Sequence, residues 1–109
     1  MNKEYILIKE GTPDEFVPAI CAHAALIGHF QWHAIPAYQF WLMNSFKKVV
    51  CKINTEEFNS IKDMNLNIKV VTESALQGKE VAIVVMPNIS LPKEFKQFKL
   101  WKSNLDLNQ

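Results

Sequence analysis

The strongest constraint on the fold is a run of six apolar residues, VAIVVM at positions 81–86, which Pro87 ends. Apolar residues that do not alternate with polar ones indicate a strand that is buried on both faces. A sheet that contains such a strand must be covered by helices on both sides. The run therefore predicts an α/β domain with a central, fully buried strand.

Length and composition fit one globular domain over residues 1–109. Hydrophobic residues make up 49% of the chain and charged residues 21%, which is typical of a folded domain. Met1 is followed by a polar stretch, and no apolar run reaches the ~20 residues that a membrane span needs. We therefore expect no signal peptide, no membrane partner, a cytoplasmic location, and free thiols at Cys21 and Cys51.

The start of the first helix has two interpretations. A strand is predicted at residues 5–8, and Glu10-Gly11 closes it. Thr12 and Glu15 have the spacing of a capping box, but Pro18 would then stand in the helix interior, where proline clashes with the preceding turn. Either one turn forms and breaks, or the helix begins near Val17, and we favour the second. It is predicted to run to about residue 30, with Gly28 marking its end.

The remaining elements alternate between helices and strands. Asn54 and Glu57 form a second capping signature. Helices are predicted at residues 34–44, 54–62 and 92–98, strands at 48–53, 67–72 and 81–86, and a frayed polar tail after residue 101. The order predicts a three-layer α/β/α domain with a mixed sheet of four or five strands.

The basic residues are distributed unevenly. All twelve are lysines, none lies between Lys9 and Lys47, and the segment from Lys47 to Lys102 has ten lysines against six acidic residues. This excess is compatible with a face that binds a phosphate backbone, and also with an ordinary solvated surface. The absence of arginine argues against bidentate recognition of phosphate or guanine.

Motifs for cofactors and metals are missing. Three glycines cannot form a phosphate-binding loop, and there is no paired-cysteine zinc motif. His29 and His33 could meet on a helix, but no acidic or cysteine ligand has a matching spacing. We predict no cofactor and no metal. An aromatic group could stack on bases or fill a core or dimer interface: Phe30, Trp32, Tyr38, Phe40 and Trp41.

One histidine interrupts an otherwise apolar segment. In Cys21-Ala22-His23-Ala24, His23 and the thiol of Cys21 are the only ionisable groups between residues 16 and 27. A helix that is apolar all round is a buried helix, so its histidine must find a partner or face a cleft. The segment alone is compatible with both.

The order of the motifs resembles the type II peptidyl-tRNA hydrolase family. That family has a Cys-Ala/Ser-His-Ala sequence on its first helix, matched here at Cys21–Ala24. A tryptophan followed seven residues later by a Lys-Val-Val strand is matched by Trp41 and Lys48–Ile53. The acidic helix start, the last buried strand with its proline, and the Leu-Lys-Leu edge also have counterparts. The resemblance spans residues 5–101 and implies that fold.

The resemblance also implies a site, with departures from the family pattern. Phe16 stands where the family has a loop lysine, Ile20 where it has glutamine, and Glu73 near the position of an aspartate. The implied catalytic pair is His23 and Glu73. The implied tRNA contacts are Lys47, Lys48 and Lys79, and the implied cleft lining is Phe16, Ile20, Cys21, Ser74 and Gln77.

Two functions follow from the resemblance, and hydrolysis of a different small ester or amide is a third possibility. The first is hydrolysis of the ester of peptidyl- or aminoacyl-tRNA by a homodimer. The alternative is a non-catalytic member of the same fold that binds a protein or small ligand. The absence of basic residues between Lys9 and Lys47 favours the alternative, because it removes positive charge from the face on which the family receives its substrate.

Overall fold

The computed structural model describes residues 2–88 and 90–103. In that part of the chain five strands and three α-helices form a small α/β domain with an open sheet. The strands are β1 (Glu4–Lys9), β2 (Lys48–Ile53), β3 (Ile68–Glu73), β4 (Lys79–Val85) and β5 (Lys99–Leu100), and the helices are α1 (Val17–Trp32), α2 (Pro36–Asn44) and α3 (Thr55–Lys62).

The sheet is mixed, as the sequence predicted. Its strand order is β3-β4-β1-β2-β5, in which β1 and β2 are parallel and the other neighbours are antiparallel. Residues of β4 alternate between two separate cores: Ala82 and Val84 pack with α1 and α2, while Ile83 and Val85 pack with α3. The apolar run at residues 81–86 is buried throughout because both faces of β4 are covered.

The entry to α1 combines both interpretations of the sequence. The Thr12 hydroxyl donates to the carbonyl of Lys9 at 2.7 Å, so Thr12 does not form the capping box that the less favoured interpretation contains. A single 3₁₀ turn, Asp14–Phe16, follows Pro13, and α1 then begins at Val17 as predicted. Pro18 lies in the first turn of α1, where its missing N–H has no intrahelical partner to lose.

Gly28 does not end α1, which continues to Trp32. A Cβ at position 28 would lie 3.0 Å from a ring carbon of Trp32 and 3.1 Å from Oε2 of Glu4. Both distances are tighter than ordinary carbon contacts. Glycine at this position therefore allows the close approach of α1 to the start of β1, and the sequence signal for a helix end is wrong here.

Most other boundaries lie close to their predicted positions. The capping box of α3 is present, since the side chain of Asn54 accepts from the Glu57 amide at 2.7 Å and that of Glu57 accepts from the Asn54 amide at 2.8 Å. The helix predicted at residues 92–98 is a 3₁₀ segment, Lys93–Gln97. Residues 104–109 of the predicted frayed tail lie outside the described residues.

Three further observations concern the described part of the chain. No helix there combines the length and the hydropathy that crossing a bilayer requires. No three His, Cys, Asp or Glu side chains there are grouped so that they could hold a metal ion. Cys21 and Cys51 are free thiols.

Candidate functional site

The structure brings His23 and Glu73 together at one flank of α1. Nε2 of His23 lies 3.5 Å from Oε1 of Glu73, and the His23 side chain is 49% exposed while that of Glu73 is 8% exposed. The separation is that of an ionic contact and is longer than a good hydrogen bond. Nδ1 of His23 has no hydrogen-bond partner among the described residues.

Glu73 is held in place by the turn that follows β3. Its Oε2 accepts from the backbone N–H of Ala75 at 3.2 Å, and its carbonyl accepts from the N–H of Gly78 at 2.9 Å. Gln77 and Gly78 both have left-handed backbone angles, with φ of 56° and 74°. This tight turn fixes the position of the buried carboxylate. The half-exposed His23 ring is therefore freer to move than the Glu73 side chain.

The predicted cleft residues divide into two groups. Ser74 and Gln77 are exposed on the turn beside Glu73. Ile20 is fully buried in the core under α1, so the prediction that it lines a cleft is wrong. Phe16 and Cys21 are partly buried and pack against the same core. Burial raises the pKa of the Cys21 thiol, which disfavours the thiolate that a nucleophile requires.

The three predicted tRNA lysines do not form one surface. Lys79 is paired with Glu73 in the β3–β4 register and lies at the same end of the sheet as the His23–Glu73 pair. Lys48 is paired with Glu4 at the opposite end of β1, and Lys47 precedes it. The two ends of β1 are roughly 17 Å apart at the usual rise per residue. Any RNA contact through Lys47 and Lys48 is thus separate from the pair.

An imidazole held by a buried carboxylate suits general base catalysis. The carboxylate orients the ring, while the other ring nitrogen is available to a water molecule. Next to the turn, a cavity of about 290 Å³ lies between the loop after β1 and the start of β4, with Leu76 and Lys79 among its lining residues. Neither His23 nor Glu73 lines this cavity, so the pair itself is what can support proton abstraction from water.

A second buried carboxylate, Glu4, was not predicted from the sequence. Glu4 is 1% exposed, and neither of its carboxylate oxygens has a hydrogen-bond partner among the described residues. A charged residue at the start of a strand is expected to be exposed. Glu4 is buried because of helices that come later in the sequence. Of the aromatic group, Trp32, Tyr38 and Trp41 are buried near Glu4, whereas Phe30 and Phe40 are exposed.

Comparison with known proteins gives no family assignment. Neither a protein-family model nor a curated protein matches this chain. The resemblance to type II peptidyl-tRNA hydrolases rests on motif order alone, and the geometry of His23 and Glu73 is an observation independent of it.

Proposed function

We propose that this chain is a divergent peptidyl-tRNA hydrolase-like enzyme that cleaves the ester between a peptidyl or aminoacyl group and tRNA. The observation that carries the proposal is the contact of 3.5 Å between Nε2 of His23 and Oε1 of Glu73. Two residues fifty positions apart, singled out by the resemblance alone, lie side by side. The proposed reaction needs no metal and no cofactor. We also propose that the α/β domain has the architecture of the type II peptidyl-tRNA hydrolases.

In the proposed reaction His23 is the general base and Glu73 is a positioning residue. Nδ1 of His23 removes a proton from water, and the resulting hydroxide forms a bond to the ester carbonyl carbon. The tetrahedral intermediate then breaks the bond to the ribose oxygen of tRNA, which receives the proton from His23. The products are a free carboxylic acid and tRNA with its hydroxyl restored. General base catalysis of this kind contributes about 10²- to 10⁴-fold.

The proposed tRNA contact near the pair is Lys79, which lies at the same end of the sheet as Glu73. Lys47 and Lys48 lie far enough away to contact a second part of the same RNA. Because neutralised phosphates release counterions, binding through several lysines weakens steeply as salt rises. The proposal further places the enzyme in the cytoplasm, as a homodimer.

The test is ester release from an N-blocked aminoacyl-tRNA. We expect turnover by the wild type, a loss of at least about 100-fold in His23→Ala, and a smaller loss in Glu73→Gln. His33→Ala is the matched control, because His33 is an exposed histidine that follows the last turn of the same helix. Absence of turnover by the folded wild type would overturn the proposed hydrolase activity. Turnover that survives His23→Ala would overturn the assignment of His23 as the general base.

A binding module is the second candidate, and a specific observation favours it. Four large apolar side chains on α1 and α2 are between 56% and 80% exposed: Leu26, Phe30, Phe40 and Met43. Exposed apolar residues grouped on neighbouring helices are typical of interaction surfaces. This candidate predicts that the folded protein neither hydrolyses the ester nor binds tRNA in a salt-dependent way. Salt-dependent tRNA binding together with turnover would exclude it.

A further inference from the structure

A second cavity lies beside α1, on the flank of this helix that does not carry His23. Its volume is about 300 Å³, within the range of small-ligand sites. Ala25, which lines it, is two residues from His23 and therefore about 200° around the helix. The lining residues are Glu4, Ala22, Ala25, Leu26, His29, Tyr38, Trp41, Leu42, Phe46 and Lys48.

The buried carboxylate of Glu4 belongs to the floor of this cavity. Both carboxylate oxygens are shielded from bulk water, and neither accepts a hydrogen bond from residues 2–88 or 90–103. A buried polar group without a partner costs about 1–3 kcal/mol, and more when it is charged. Burial raises the pKa of Glu4 to about 7, and Lys48 offsets only part of that effect. A hydrogen-bond donor that reaches the Glu4 carboxylate would therefore be stabilising.

Four other side chains around the cavity have hydrogen-bond partners. The Tyr38 hydroxyl and Nδ1 of His29 lie 3.2 Å apart, at hydrogen-bond distance. The indole N–H of Trp41 donates to the carbonyl of Lys47 at 2.9 Å. The ammonium of Lys48 donates to the carbonyl of Phe46 at 3.1 Å and, within the described residues, makes no hydrogen bond to the Glu4 carboxylate. Within the part of the chain that the structure describes, the carboxylate of Glu4 is thus an acceptor in this cavity without a partner.

Aromatic rings beside Glu4 add a second preference for positive charge. The Lys48 ammonium lies 3.1 Å from the ring centroid of Phe46 and 5.2 Å from that of Trp41. Tyr38 packs on Trp41 with ring centroids 5.2 Å apart. Ring faces attract cations and repel anions. Phe46 also has a left-handed φ of 59°, a costly conformation for an aromatic residue, and it keeps this ring at the mouth of the cavity.

We propose that this cavity is a binding site for a primary ammonium group carried on an apolar body, such as an alkylamine or arylalkylamine. The ammonium donates to the carboxylate of Glu4, and the apolar body packs on Leu26, Leu42 and the Trp41 ring. From residue 16 to residue 46 the chain contains no Asp, Glu, Lys or Arg, so the helices that form the walls supply no competing charge. The site is independent of the His23–Glu73 pair.

An NMR titration with phenethylamine tests the proposal. We expect saturable shifts of the Ala22 and Ala25 amides and of the Trp41 indole N–H in the intact chain. Phenethyl alcohol, which has the same ring without the charge, and phenylpropionate, which has the opposite charge, should bind at least tenfold more weakly. Equal binding of all three would overturn the ammonium assignment, and shifts that do not saturate would overturn the site.

Three variants separate the role of Glu4 from a general effect of charge. Glu4→Gln keeps the shape and should weaken phenethylamine binding at least tenfold. Glu80→Gln is the matched control, because it removes one carboxylate from the surface, where Glu80 pairs with Lys62 at 2.7 Å. Lys48→Met should tighten binding, because it removes a like charge. Unchanged affinity in Glu4→Gln, or weaker binding in Lys48→Met, would contradict the proposal whatever the outcome of the hydrolysis assay.

Discussion

Two buried carboxylates stand on opposite flanks of the same helix, and their surroundings differ. Glu73 is 7% exposed and contacts His23 and the amide of Ala75. Glu4 is 1% exposed, and in the part of the chain that the structure describes neither oxygen has a hydrogen-bond partner. The comparison separates two reasons for burying an acid: Glu73 positions another side chain, whereas Glu4 is left available to a group that the chain itself does not supply.

The difference has a consequence for stability. The pKa of Glu4 rises from its usual 4.5 to about 7 because burial penalises the charged form. At about 1.4 kcal/mol per pKa unit, this corresponds to roughly 3 kcal/mol of lost stability where Glu4 is ionised. A domain of this size has about 5–15 kcal/mol in total. A residue kept at such a cost is a better candidate for function than one whose burial is fully compensated.

Replacing Glu4 should have the largest effect on stability. In the wild type, the folded state holds a proton between about pH 4.5 and 7 that the unfolded state has released, so stability falls as pH rises through this window. Lys48 and Tyr38 face the carboxylate, and neither supplies a hydrogen bond. Glu4→Leu should therefore gain about 3 kcal/mol in urea denaturation at pH 8 and little at pH 4. A loss of stability at pH 8 would show that Glu4 is well partnered.

Gly28→Ala should have the next largest effect, with the opposite sign. Alanine favours a helix over glycine by about 1 kcal/mol, but its Cβ would crowd the Trp32 ring and Glu4 Oε2 at 3.0 and 3.1 Å. Crowding of a packed core typically costs about 1–3 kcal/mol, so we expect a net loss of about 1 kcal/mol in the same denaturation assay. A net gain would mean that Glu4 has room to move away from α1.

Glu73→Gln should have the smallest effect. The amide oxygen of glutamine can still accept from the Ala75 N–H, and the lost ionic contact involves a half-exposed histidine. Contacts of that kind contribute about 1 kcal/mol or less. The variant should thus lose little stability while it reduces turnover, and thermal unfolding beside the ester assay measures both. A large loss of stability would give Glu73 a structural role instead.

The sequence predicted the fold better than it predicted the environment of its acids. Local signals located β2, the Asn54–Glu57 capping box and the start of α1, because each depends on neighbouring residues. The contact between His23 and Glu73 followed only from the resemblance. Glu4 had no local signal, because its burial arises where α1 and α2 cross the start of β1. The prediction that Gly28 ends α1 was wrong for the same reason: this glycine is required by a contact with Glu4, which is distant in the sequence.

A carbon-13 NMR titration of the Glu4 side-chain carboxyl tests the central difference between the two flanks most directly. The structure predicts a midpoint near pH 7 for Glu4, and a shift of that midpoint to lower pH when phenethylamine is added, since a bound ammonium stabilises the ionised form. A midpoint near pH 4.5 in the free protein would show that Glu4 is already solvated or paired. That result would contradict both the unpartnered carboxylate and the ammonium site built on it.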